Sequence, residues 1–168
     1  QLYGIWRGDR PGNVSDWLHA AMDAVNQAWE RQKLPILCGG TGMYLKAFKE
    51  GLSPIPEIAV HYRQEAAEAL AKIGHNGLHQ KLVEIDPVVA RKIPPQNTQR
   101  LLRAWEVWLA TGKPLGQWQA IAPTPPFPDA TIHQEVITID RETLYQRCNA
   151  RFDHMLAHGA LEEVRQKI

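Results

Sequence analysis

In the nonapeptide Leu34-Pro35-Ile36-Leu37-Cys38-Gly39-Gly40-Thr41-Gly42, a run with no polar alternation passes into glycines set around a threonine. An unbroken apolar run ended by glycine is expected of a strand buried on both faces of a parallel sheet. Downstream, Gly42 to Glu50 reads as a helix closed by Gly51 in the position after its last turn. Upstream, Ser15 is placed to cap a helix reaching about Gln32, whose Leu18, Ala21, Met22, Val25 and Trp29 recur at helical spacing. Helix, strand, glycine turn and helix together make one piece of an α/β sheet. Leu2 to Trp6 is a candidate second strand.

Ser53-Pro54-Ile55-Pro56 breaks this pattern, and helical periodicity replaces it. Helices are expected at about 58–73, 77–84, 87–92 and 98–111, with Gly74 and Gly112 as stops and Asn97 or Thr98 as a cap. The proline-rich Pro123 to Pro128 must be extended. Glu135-Val136-Ile137-Thr138-Ile139 then reads as a returning strand, followed by helices at about 141–157 and from 160 on, parted by Gly159. The layout is therefore a partial α/β core over 1–56, a helical segment over 57–130, and a return to the core over 131–168. Two or three short strands make a poor parallel sheet, so the chain is expected to be part of a longer protein.

The 168 residues are 44% hydrophobic and 22% charged, enough to bury a core. A formal net charge of +1 excludes a globally basic nucleic-acid coat and leaves only local basic clusters. Two cysteines are too few for a disulfide framework or a zinc site, which fits a reducing compartment. No apolar run approaches the roughly 20 residues of a membrane helix, and no leader pattern opens the chain. A cytoplasmic protein without membrane contact is expected.

Chemistry is expected at three places. Gly39-Gly40-Thr41-Gly42 sets free backbone N–H groups and a hydroxyl at a helix N-terminus, where an anion or a base edge could approach; a tight turn that needs glycine only for packing is the plainer alternative. It is not a Walker loop, since no Gly-x-x-x-x-Gly-Lys-Ser/Thr occurs. Between Arg91 and Lys113, five cations (Arg91, Lys92, Arg100, Arg103 and Lys113) face one carboxylate, Glu106, which suits a phosphate backbone as well as a merely solvated face. Arg147 and Arg151, one turn apart, could clamp a diphosphate or simply pair with Glu142 or Asp153. His154 and His158 lack further ligands, so no metal site is assigned.

These segments resemble one family. Leu34-Pro35-Ile36-Leu37 with Gly39-Gly40-Thr41-Gly42-Met43-Tyr44-Leu45-Lys46-Ala47 and Glu50-Gly51-Leu52-Ser53-Pro54-Ile55-Pro56 is similar to the tRNA dimethylallyltransferases. So are Asp86-Pro87, Ala90-Arg91-Lys92-Ile93, Asn97-Thr98-Gln99-Arg100-Leu101-Leu102-Arg103-Ala104 with Glu106-Val107, and Thr111-Gly112-Lys113. The resemblance implies a P-loop-NTPase-like parallel sheet core with a helical insertion that grips the anticodon arm of tRNA. It implies transfer of a dimethylallyl group from dimethylallyl diphosphate to N6 of adenosine 37, with Mg2+ whose ligands lie outside these residues. By resemblance, Thr41 is catalytic and near the target base, and Arg151 is catalytic and diphosphate-binding with Arg147 in support. Arg63 and the stretch Gln99, Arg100, Leu101, Leu102 and Arg103 contact tRNA. The family's phosphate loop and general-base aspartate have no counterpart here, so the chain alone is expected to be inactive, and monomeric. An adenylate isopentenyltransferase acting on a free nucleotide, and a non-catalytic RNA-binding module, are the competing readings.

Overall fold

The computed structural model describes residues 1–6 and 12–166. These form eight helices among the described residues: α1 (Val14–Glu30), α2 (Gly42–Glu50), α3 (Val60–Ile85), α4 (Pro87–Ala90), α5 (Thr98–Thr111), α6 (Leu115–Gln119), α7 (Arg141–Ala157) and α8 (Ala160–Arg165). They divide into two units, Gln1–Ala130 and Thr131–Ile168.

The expected parallel sheet is absent, because no strand occurs among the described residues. Leu34 to Cys38 lies in no helix or strand, and Leu34 and Ile36 are 84% and 78% exposed. Glu135 to Ile139 is likewise unpaired, with Ile137 96% exposed. Leu2 to Trp6 makes no ladder either. A side-chain bond ties it to the first of these runs, Tyr3 Oη donating to the Cys38 carbonyl at 2.9 Å. The physical reason is that an apolar run supplies only side chains for a sheet. A ladder also needs a second backbone in register, and neither the α/β core over 1–56 nor its return over 131–168 forms one.

The helices follow their local chemistry. α1 is capped by Asn13 rather than Ser15: the Asn13 side chain accepts the Asp16 N–H at 2.9 Å. Asn97 caps α5 by accepting the Arg100 N–H at 3.2 Å, and Gly112 ends it in the left-handed conformation. Gly74, at φ 69° and ψ 175°, breaks α3 where a stop was expected. α6 follows Pro114 and was not anticipated.

Two cores organise the first unit. The smaller gathers Leu18, Ala21 and Val25 of α1 around Phe48 of α2, with Leu37 and Phe127 packed against them. Phe127 meets Trp29 edge-on at 5.0 Å and Phe48 at 5.4 Å, which fastens the proline-rich connector to this core. The larger core lies between α3, α4, α5 and α6, where Leu78, Leu82, Leu101 and Val107 are fully buried. Burial of this apolar surface is the main stabilising term of the unit. Asp86, the buried acid of this core, caps α4 through Val89 N–H at 3.1 Å and accepts the Gly116 N–H of α6 at 2.7 Å. The second unit has no buried residue on α7 or α8. Asp140 caps α7 by accepting the Thr143 N–H at 2.8 Å.

Candidate functional site

Thr41 is the residue before the first turn of α2, extended and exposed, with no side-chain capping bond. Its hydroxyl is thus not spent on the helix. Gly39, Gly40 and Gly42 are not among the positive-φ glycines, and a Cβ built at any of them meets nothing within 4 Å. Neither strain nor packing in this unit therefore calls for glycine there. An open approach to the backbone remains as what the three glycines provide. A cavity of about 680 Å³ borders this turn, lined among others by Thr41, Gly40, Tyr44, Trp17 and Leu2. Trp17 of α1 stacks on Tyr44 of α2, with centroids 4.8 Å apart and planes 24° apart, so one cavity wall is a fixed aromatic pair.

The second cluster spans two helices. Glu106 of α5, its side chain 12% exposed, holds Arg103 Nη1 at 3.4 Å and Arg63 Nε of α3 at 4.0 Å, both on the single oxygen Oε2. The two guanidiniums remain open to solvent, Arg63 at 62% and Arg103 at 42%. The structure thus joins two expected tRNA-contacting residues that lie far apart in sequence. Gln99 and Arg100 are exposed in the first turn of α5, while Leu102 is half-buried. Leu101 is fully buried in the helical core and offers no side-chain surface. Of the remaining cations in the basic window, Arg91 and Lys92 are exposed, and Lys113 Nζ lies 4.4 Å from the Trp118 ring centre. Glu106, which the sequence offered as one negative charge in the window and as part of a family-like motif, was given no site role there. Its spacing of three from Arg103 was the available signal.

Arg147 and Arg151 occupy successive turns of α7 in the second unit, and both are exposed. Among the described residues neither forms an ion pair with Glu142 or Asp153. The Thr143 backbone N–H bond, followed by the Thr143 side chain, holds the Asp140 carboxyl below its ordinary value of 3.8. The described residues do not fit the magnesium that the resemblance implies. No group of three or more His, Cys, Asp or Glu converges among those described, and no carboxylate lines the cavity beside Thr41. Cys38 and Cys148 are free thiols. No helix is long and apolar enough to cross a membrane, among the described residues.

Comparison with known proteins identifies the family of the chain. The IPP transferase family model matches residues 1–168. The tRNA dimethylallyltransferase of Granulibacter bethesdensis is 42% identical over 164 residues, covering 98% of this chain and 51% of that protein. That of Paramagnetospirillum magneticum is 42% identical over 165 residues, covering 98% and 52%. The crystal structure of the full-length tRNA isopentenylpyrophosphate transferase from Bacillus halodurans matches with a TM-score of 0.52 at 29% identity, over 99% of this chain and 50% of that one. The chain spans about half the length of these relatives. With the match running from its first residue to its last, the chain belongs to the IPP transferase family.

Proposed function

We propose that the chain serves a tRNA dimethylallyltransferase, supplying part of the anticodon-arm grip and part of the prenyl-transfer site. The observation that carries this reading is the family match over every residue, together with relatives bearing that name at 42% identity. In the proposed reaction, N6 of adenosine 37 attacks C1 of dimethylallyl diphosphate. A C–N bond forms, the C–O bond to the diphosphate breaks, and the diphosphate departs with the electron pair. N6 loses its proton to a base outside the described residues.

Within that scheme Thr41, its hydroxyl free at the cavity rim, holds the target base near the reacting carbon. Arg151, supported by Arg147, neutralises the charge that develops on the leaving diphosphate. Segment 57–130 grips the anticodon arm through Arg63, Gln99, Arg100 and Arg103, and shape and phosphate contacts rather than bulk charge supply affinity. The adenosine must leave the loop stack to reach the site. Magnesium belongs to the expected chemistry of the family, its ligands lying beyond these residues, and no step above is routed through it. The enzyme would work as a monomer in the cytoplasm, where tRNA is modified.

The test is to supply the complete product of the gene with labelled dimethylallyl diphosphate and either tRNA or AMP. Label entering tRNA and not AMP is the expected result. Label entering AMP alone identifies a free-nucleotide enzyme, and label entering neither, with tRNA still bound, identifies a binding module.

A further inference from the structure

We propose that Glu106 is a positioning residue for RNA, holding Arg63 and Arg103 as one two-guanidinium site for the phosphate backbone. This rests on the reading of segment 57–130 as the RNA grip. The evidence is the convergence of both arginines, from α3 and α5, on the same carboxylate oxygen. The Glu106 side chain is largely withdrawn from water, whereas both arginine side chains are open to it. Arg63 uses only Nε and Arg103 only Nη1 in these pairs. Among the described residues the other guanidinium nitrogens make no hydrogen bond or ion pair. Arg103 is held by a hydrogen bond and Arg63 by the longer ion pair, and their other donors are left for a ligand.

The cluster carries a net charge of +1, so it does not trap its own ligand site in a closed neutral pair. A phosphodiester oxygen fits the remaining donors, because planar guanidiniums bind such oxygens in paired, charge-assisted hydrogen bonds. An exposed arginine otherwise surrenders rotamer freedom on binding, and a fixed carboxylate removes part of that cost beforehand.

Charge and positioning make opposite predictions for Glu106→Gln. Removing a negative charge beside a polyanion should tighten binding if Glu106 acts by charge alone. If it positions the arginines, binding should weaken on the order of fivefold, the scale of freeing two rotamer-rich side chains. The experiment measures affinity of the full chain for an anticodon stem-loop RNA across a salt series, with helicity followed by circular dichroism. In an Arg63→Ala/Arg103→Ala background, which should itself flatten the salt dependence, Glu106→Gln is expected to change nothing further. Arg63→Lys/Arg103→Lys keeps the charge, and is expected to weaken binding because an ammonium cannot use the planar orientation. Binding by Glu106→Gln that equals or exceeds wild type would overturn the positioning role while leaving the RNA face intact. Wild-type binding by the double alanine variant would overturn both.

Discussion

Asp86→Ala is expected to unfasten α4 and α6 from the helical core. In the structure this buried carboxylate accepts two backbone N–H groups, from Val89 at 3.1 Å and Gly116 at 2.7 Å. Alanine leaves both donors without their acceptor, in a setting where water reaches them poorly. An orphaned buried donor costs about 1–3 kcal/mol, so the pair should cost about 3 kcal/mol after partial relaxation. For a domain of this size that corresponds to a fall in Tm of roughly 10 °C. Asp86→Asn keeps the shape and one acceptor oxygen but turns an amide toward the other donor, and should lose about half as much. The neighbouring glycine sharpens the test. A Cβ at Gly116 would lie 2.9 and 3.0 Å from the two carboxylate oxygens and 3.1 Å from Val89 Cγ2, so removing Asp86 relieves most of the cost of Gly116→Ala and leaves the Val89 contact. The two substitutions should therefore combine to less than the sum of their separate effects. Thermal melts followed by circular dichroism read the wild type and the four variants. A change in Tm below about 2 °C for Asp86→Ala would refute the assignment of this carboxylate as the tie between α4 and α6.

Three further outcomes are expected. Gly51→Ala should cost more than about 2 kcal/mol in urea unfolding, because Gly51 sits at φ +86° with the Thr124 carbonyl where a Cβ would go. Arg151→Ala in the complete gene product should lower turnover on the order of a hundredfold, the scale of losing one charge-stabilising donor, and unchanged steady-state kinetics would remove Arg151 from the mechanism. Since the folded-state pKa of Asp140 is depressed, its contribution to α7 is present above the unfolded value of 3.8 and is lost as pH falls through the lower folded value. The Thr143 amide resonance should report that transition, and Asp140→Asn, which keeps a capping oxygen without its charge, should abolish it.

The helices were legible because their signals are local. Asn97 by its capping side chain, and Gly51, Gly74, Gly112 and Gly159 by their backbone freedom, each mark a boundary, and the spacing of Leu18, Ala21 and Val25 announces the buried face of α1. Asn13-Val14-Ser15 offers two capping side chains within one turn, and periodicity cannot rank them; the bond to Asp16 does. α6 has five residues, too few for a helical stripe to show. The strands misled for a different reason. Leu34 to Cys38 has the composition of a buried strand, but pairing belongs to two segments at once and composition speaks for one. Thr41 and the arginines stood out as residue types. The meeting of Arg63 with Arg103 through Glu106 depends on α3 packing against α5, which no spacing along a single helix encodes.

Nucleoside mass spectrometry of bulk tRNA tests the central claim most directly, in a strain whose copy of this gene is deleted and then restored. The account predicts that N6-dimethylallyladenosine and its derivatives vanish on deletion and return on restoration. Undiminished modification in a strain with no second gene of this family would contradict it.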